Sequence, residues 1–112
     1  MDQPIEINRN LLPLRDAIDV ISGKWKLPII LTLVQNGKRY KDLNNTITGI
    51  SSKVLSRELQ NLEENFLIEK KNVNCGHQIV QYSLTDHGRS LVPLIDEILK
   101  WGQKHRNVII RN

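Results

Sequence analysis

The sequence predicts a mainly α-helical domain with a small β-hairpin, in the order of a winged helix-turn-helix dimerised through its first and last helices. Three observations point to this order of elements. Apolar residues recur three and four apart along most of the chain. Two short helical stretches flank the turn Thr48–Gly49–Ile50. A pair of alternating segments around Asn74–Cys75–Gly76–His77 follows directly. With 112 residues, the chain has enough material for one core.

Residues 1–10 are polar and without period, so a flexible N-terminal arm is expected. The domain is expected over 11–106. From Leu11, the residues Leu14, Ala17, Ile18 and Ile21 share one helical face, and Gly23 ends that run. Trp25, Ile29, Ile30 and Leu33 resume a helix up to Asn36–Gly37, with Pro28 confined to its first turn unless it kinks. Tyr40, Leu43 and Ile47 predict a short helix within 38–48. Ser51 or Ser52 is an N-cap for the next helix, because a hydroxyl accepts a free backbone N–H. Leu55, Leu59, Leu62 and Phe66 form its buried stripe. Strands are expected over Leu67–Val73 and Ile79–Leu84. Thr85 caps the final helix, which carries Leu91, Leu94, Ile95, Ile98, Leu99 and Trp101. A C-terminal tail is expected over 107–112.

Composition narrows the function. Hydrophobic residues make up 39% and charged residues 25%, a globular mix rather than a disordered one. The single cysteine, Cys75, excludes a disulfide framework and a cysteine-based zinc site and fits a reducing compartment. The opening MDQPIEINRN has no apolar core of a secretory signal, and no stretch approaches a membrane span. A cytoplasmic, nucleoid-associated protein without a membrane partner is expected. His77, His87 and His105 are isolated, and no phosphate loop or Gly-x-Gly-x-x-Gly occurs. We therefore expect no enzyme, no metal and no cofactor.

The net charge of +4 is modest, but its placement is informative. From Lys24 to Arg57 there are seven basic residues and one acid, Asp42, hence +6; the remainder holds nine basic and eleven acidic residues, hence −2. A local basic excess on a helix-turn-helix suits phosphate binding. The second helix of such a motif enters the major groove with its N-terminal residues at base edges. Here it opens Ser51, Ser52, Lys53, and Ser56 and Arg57 follow. Arg57 is the base-reading candidate, since a guanidinium pairs with O6 and N7 of guanine. It could instead pair with Glu58 or Asn61 on its own surface. Lys38 and Arg39 lie where backbone contacts fall, and Tyr40 is either a phosphate donor or a core residue. Lys71, Asn74 and His77 belong to the wing. Trp25 reads as a packing residue, as does Trp101.

Both end helices carry more apolar surface than a core of this size needs. Leu11, Leu12 and Leu14 at one end and Leu94, Ile95, Ile98 and Trp101 at the other are expected to bury against a second copy. A two-fold homodimer would set two recognition helices about 34 Å apart on double-stranded DNA.

Several stretches carry a family likeness. They are Leu14–Arg15 with Ile21–Ser22–Gly23–Lys24–Trp25, Arg39–Tyr40–Lys41–Asp42–Leu43, Gly49 through Ser56, Leu59–Leu62–Glu63, Tyr82 through Gly88, and Trp101–Gly102. In these the chain resembles the HxlR family of bacterial transcriptional regulators, over about residues 12–105. The resemblance implies a winged helix-turn-helix homodimer on palindromic operator DNA, acting as repressor or activator, with Lys53, Ser56 and Arg57 facing DNA. Many members carry a Cys-Pro pair before the first helix, and in several that cysteine senses oxidants or electrophiles. Leu12–Pro13 stands here, and leucine supplies no nucleophile. Cys75 lies in the wing, read as an incidental thiol.

The function expected is a sequence-specific DNA-binding transcriptional regulator, repressor or dual, acting as a homodimer. An unidentified small-molecule inducer is a partner that the sequence neither names nor excludes. The competing readings are a winged-helix protein-interaction module and a binder of double-stranded RNA. The second fits poorly, because the helix suits a B-form major groove.

Overall fold

The computed structural model describes residues 7–74, 76 and 78–111. The order is α1 (Ile7–Ile21), α2 (Lys26–Thr32), α3 (Tyr40–Thr46), α4 (Ser52–Glu64), β1 (Ile68–Asn74), β2 (Gln78–Leu84), α5 (Asp86–Arg89) and α6 (Val92–Arg111). A mainly helical chain with a two-stranded antiparallel hairpin is what the pattern predicts.

Local chemistry accounts for the central elements. Pro28 is the third residue of α2, in the first turn, where a helix has no intrahelical partner for its N–H groups. The helix stops at Thr32, short of the expected Asn36. The chain then extends so that Lys38 exchanges two backbone hydrogen bonds with Tyr82, of 2.9 and 2.7 Å. This bridge fastens the entry to α3 onto β2. Between α3 and α4, Gly49 has φ +86°, a left-handed conformation that favours glycine. Ser51 caps α4: its Oγ accepts from Val54 N at 3.2 Å.

Leu55, Leu59 and Leu62 of α4 are buried as expected. Phe66 is not, being 75% exposed. The helix closes after Glu64 in a Schellman motif: Leu67 N–H reaches Leu62 O (3.0 Å) and Phe66 N–H reaches Glu63 O (2.9 Å). Phe66 takes the left-handed position, at φ +60°, and Leu67 takes the core place instead.

Thr85 caps the four-residue α5, accepting from Gly88 N at 3.0 Å and donating to Phe66 O. The final long helix starts separately, at Val92. Gly88 is a close-approach glycine, since a Cβ there would lie 2.0 Å from Leu67 O.

The ends differ from expectation. α1 begins at Ile7, inside the expected arm, and α6 runs to Arg111, through most of the expected tail. Nothing stronger than Gly102 interrupts α6, and an interior glycine costs only about 1 kcal/mol.

The core gathers Ile29, Ile30 and Leu33 of the α2 segment, Leu43 of α3, the α4 leucines, Leu67, Ile68, Leu84 and Ile95. Ile95, expected at a dimer face, is 2% exposed within the single chain and belongs to this core. It is the buried residue of α6, and the helix projects beyond it. The radius of gyration, 16.9 Å, exceeds the roughly 13 Å of a compact chain this long.

Candidate nucleic-acid interface

Helix geometry separates the two faces of α4. At about 100° per residue, Lys53 and Arg57 each lie roughly 160° from Leu55. The leucine side is sealed into the core, and Ser52, Lys53, Ser56, Arg57 and Gln60 are exposed. The Arg57 side chain is 67% exposed; its Nε stands 3.7 Å from Glu58 Oε2, a loose contact that leaves most of the guanidinium open. Arg57 thus faces outward while leaning towards Glu58.

Glu58 is held from the other side. Its Oε1 is 2.9 Å from Lys26 Nζ, and both side chains are only 13% exposed. Lys26 is therefore spent on anchoring α2 to α4 and leaves the basic surface. The acid that takes Lys26 is the residue directly after Arg57, just outside the +6 segment.

Around the entry to α3, Arg39 and Lys41 are exposed, and Lys38 places its Nζ 2.7 Å from Asn36 Oδ1. Lys24 sits 4.8 Å above the Trp25 ring, which itself packs on the core. Tyr40 is half-buried against the core, and its hydroxyl donates to Ser52 O at 2.7 Å and pairs with Ser56 Oγ at 3.0 Å. The Tyr40 ring thus packs as a core residue does, while its hydroxyl bonds to α4.

The wing carries Lys70 and Lys71. Lys71 Nζ lies 3.3 Å from Glu69, an exposed pair of little energetic weight. Lys70 Nζ lies 3.9 Å from Glu63 and 5.9 Å from the Tyr82 ring. Burial raises the Tyr82 phenol above its usual range, with the Lys70 charge opposing. The Asn74 side chain, Cys75 and His77 lie outside the described residues. Among the described residues no group of three or more His, Cys, Asp or Glu could hold a metal. No helix among them is long and apolar enough to cross a membrane.

At the chain ends, Leu12, Leu14 and Trp101 are exposed, as are Leu94 and Ile98, while Leu11 is half-buried. Trp101 stacks on His105 of the same helix, with ring centroids 4.9 Å apart.

The profile of the HxlR-like helix-turn-helix family matches residues 20–109, from the end of α1 to the last turns of α6. The chain belongs to the HxlR-like family. Among curated relatives it is 41% identical to the uncharacterized HTH-type transcriptional regulator YdzF of Bacillus subtilis, over 80% of this chain and 84% of that one. It is 28% identical over 91% of this chain to the HTH-type regulator YybR of the same organism, covering 82% of it. Among solved structures, the redox regulator HypR in its reduced form superposes with TM-score 0.79 at 28% identity, covering 89% of this chain and 99% of HypR. The reduced regulator YodB of B. subtilis gives 0.77 at 28% identity, over 93% and 94% of the two chains. HxlR-like proteins and these relatives are transcriptional regulators, not enzymes. The chain is accordingly a winged helix-turn-helix, DNA-binding transcriptional regulator.

Proposed function

We propose that the chain regulates transcription as a homodimer on a palindromic operator, as repressor or dual regulator, with α4 in the major groove. The observation that carries this is the partition of α4: a serine-capped helix start whose leucines are buried and whose Lys53 and Arg57 point to solvent. Arg57 reads a base, and Lys53 with Ser51 and Ser52 meets the adjoining backbone. Lys38 and Arg39 contact phosphates ahead of α3, and Lys71, Asn74 and His77 bring the wing to the flanking groove.

A homodimer is supported by the apolar load on the terminal helices. Of thirteen exposed large hydrophobics among the described residues, ten lie on α1 and α6. Leu11, Leu12, Leu14, Leu94, Ile98 and Trp101 form the proposed interface. A patch of that kind on a projecting helix calls for a partner surface. The protein acts in the cytoplasm, at the nucleoid. A small-molecule inducer would act by changing the spacing of the paired recognition helices.

A nuclease footprint on genomic DNA, with gel shifts at two salt concentrations, tests the reading. Protection of a two-fold symmetric site that survives competitor DNA and weakens steeply with salt is expected. Capture of a partner protein together with failure to protect any DNA would favour the interaction-module reading.

A further inference from the structure

We infer that Tyr40 sets the hydrogen-bond polarity of Ser56, and so makes Ser56 a reader of bases that carry an exocyclic amine. The inference rests on the proposed seating of α4 in the major groove.

Tyr40 Oη lies 2.7 Å from the Ser52 carbonyl oxygen and 3.0 Å from Ser56 Oγ. A carbonyl only accepts, and a phenol carries one hydrogen. The shorter contact therefore takes the phenol hydrogen. The longer one is filled from the other side, by the Ser56 hydroxyl donating to Tyr40 Oη. The relay runs from Ser56 through Tyr40 to the carbonyl of Ser52, across the two helices of the motif.

Ser56 is exposed on α4, one residue before Arg57. Its hydrogen is committed within the protein, so it turns only lone pairs outward. In the major groove the donors are the N6 amine of adenine and the N4 amine of cytosine, whereas guanine and thymine present acceptors alone. A serine with a free hydroxyl serves either class; this one serves the amines. The same polarity sets Ser56 against a phosphate oxygen, which also only accepts. Tyr40, its hydrogen spent on Ser52, is a positioning residue rather than a phosphate donor.

The test uses the full chain and a library of duplex DNA with randomised sequence, enriched separately by the parent protein, Ser56→Ala and Tyr40→Phe. For the parent, one position in each half-site is expected to favour adenine or cytosine on the contacted strand by about two- to tenfold, the range of one hydrogen bond. Ser56→Ala should flatten that position alone. Tyr40→Phe keeps the packed ring but releases the serine hydrogen, so guanine and thymine become acceptable at the same position while the others hold. If Tyr40→Phe instead weakens every sequence by one common factor, its role is merely structural and the inference is overturned. An unchanged profile in Ser56→Ala overturns it too, and decides the matter should Tyr40→Phe fail to fold by circular dichroism. A parent protein that enriches no sequence would fail the α4 seating itself, a result distinct from either of these.

Discussion

Lys26 Nζ and Glu58 Oε1 lie 2.9 Å apart with both side chains nearly covered, and this pair couples α2 to the middle of α4. The other carboxylate oxygen of Glu58 stands 3.7 Å from Arg57 Nε. Lys26 thus competes with Arg57 for one carboxylate. While Lys26 holds it, the guanidinium is left mostly open to solvent.

Two results should follow from removing Lys26. Lys26→Met leaves a poorly hydrated carboxylate without its main partner, and should lower stability by about 1–3 kcal/mol in urea titration. It should also weaken operator binding, because Glu58 is freed to draw in Arg57 and to oppose the phosphates. Adding Glu58→Gln should restore much of both. Equal losses in the single and double variants would mean that the two residues are not coupled.

Phe66 offers a gain in stability. It occupies the left-handed position of the Schellman motif at φ +60°, where a side chain is strained and glycine is not. Its ring is three-quarters exposed and gives little packing in return. Phe66→Gly should stabilise the fold by about 0.5–1 kcal/mol, read as a higher denaturation midpoint at fixed protomer concentration. A lower midpoint would show that the ring is covered in the assembled protein.

What the sequence made legible, and what it hid, follows the range of the interactions. The Ser51 cap, the Leu55–Leu59–Leu62 stripe and the turn at Gly49 are local, set within a few residues, and each could be read from spacing. The outward placement of Lys53 and Arg57 follows from the same helical period. The Lys38–Tyr82 bridge and the Tyr40–Ser56 hydrogen bond join residues far apart in the chain, so no local pattern announces them. The terminal helices are ambiguous for another reason. An apolar residue on a helix looks the same in sequence whether its own core or a second copy covers it. Spacing alone therefore groups Ile95 with Ile98 and Trp101, although only Ile95 lies in the core. Phe66 continued the leucine spacing past the point where the backbone stops being helical.

Arg57 and Arg39 should separate base reading from phosphate binding. Arg57→Ala should cost about 1–3 kcal/mol on the preferred operator and relax the choice at one base position. Arg39→Ala should weaken all sequences alike and reduce the slope of log K against log salt by about 1. Gel shifts across a salt series on the operator and on single-base variants measure both. A uniform loss for Arg57→Ala would reassign it to the backbone.

The terminal helices carry the last prediction. Leu12 and Trp101 are exposed on α1 and α6, and a carboxylate at either would be stranded in the proposed dimer interface. Leu12→Glu combined with Trp101→Glu should convert a two-chain species to single chains in sedimentation velocity. Neither residue is in the core of the single chain, so the circular dichroism of each protomer should be kept. Affinity for a full operator should fall far more than affinity for one half-site, because linking two recognition helices makes the second contact intramolecular. If the parent chain itself sediments as a single chain at the concentration where it protects an operator, the two-fold arrangement is wrong and α6 projects for another partner.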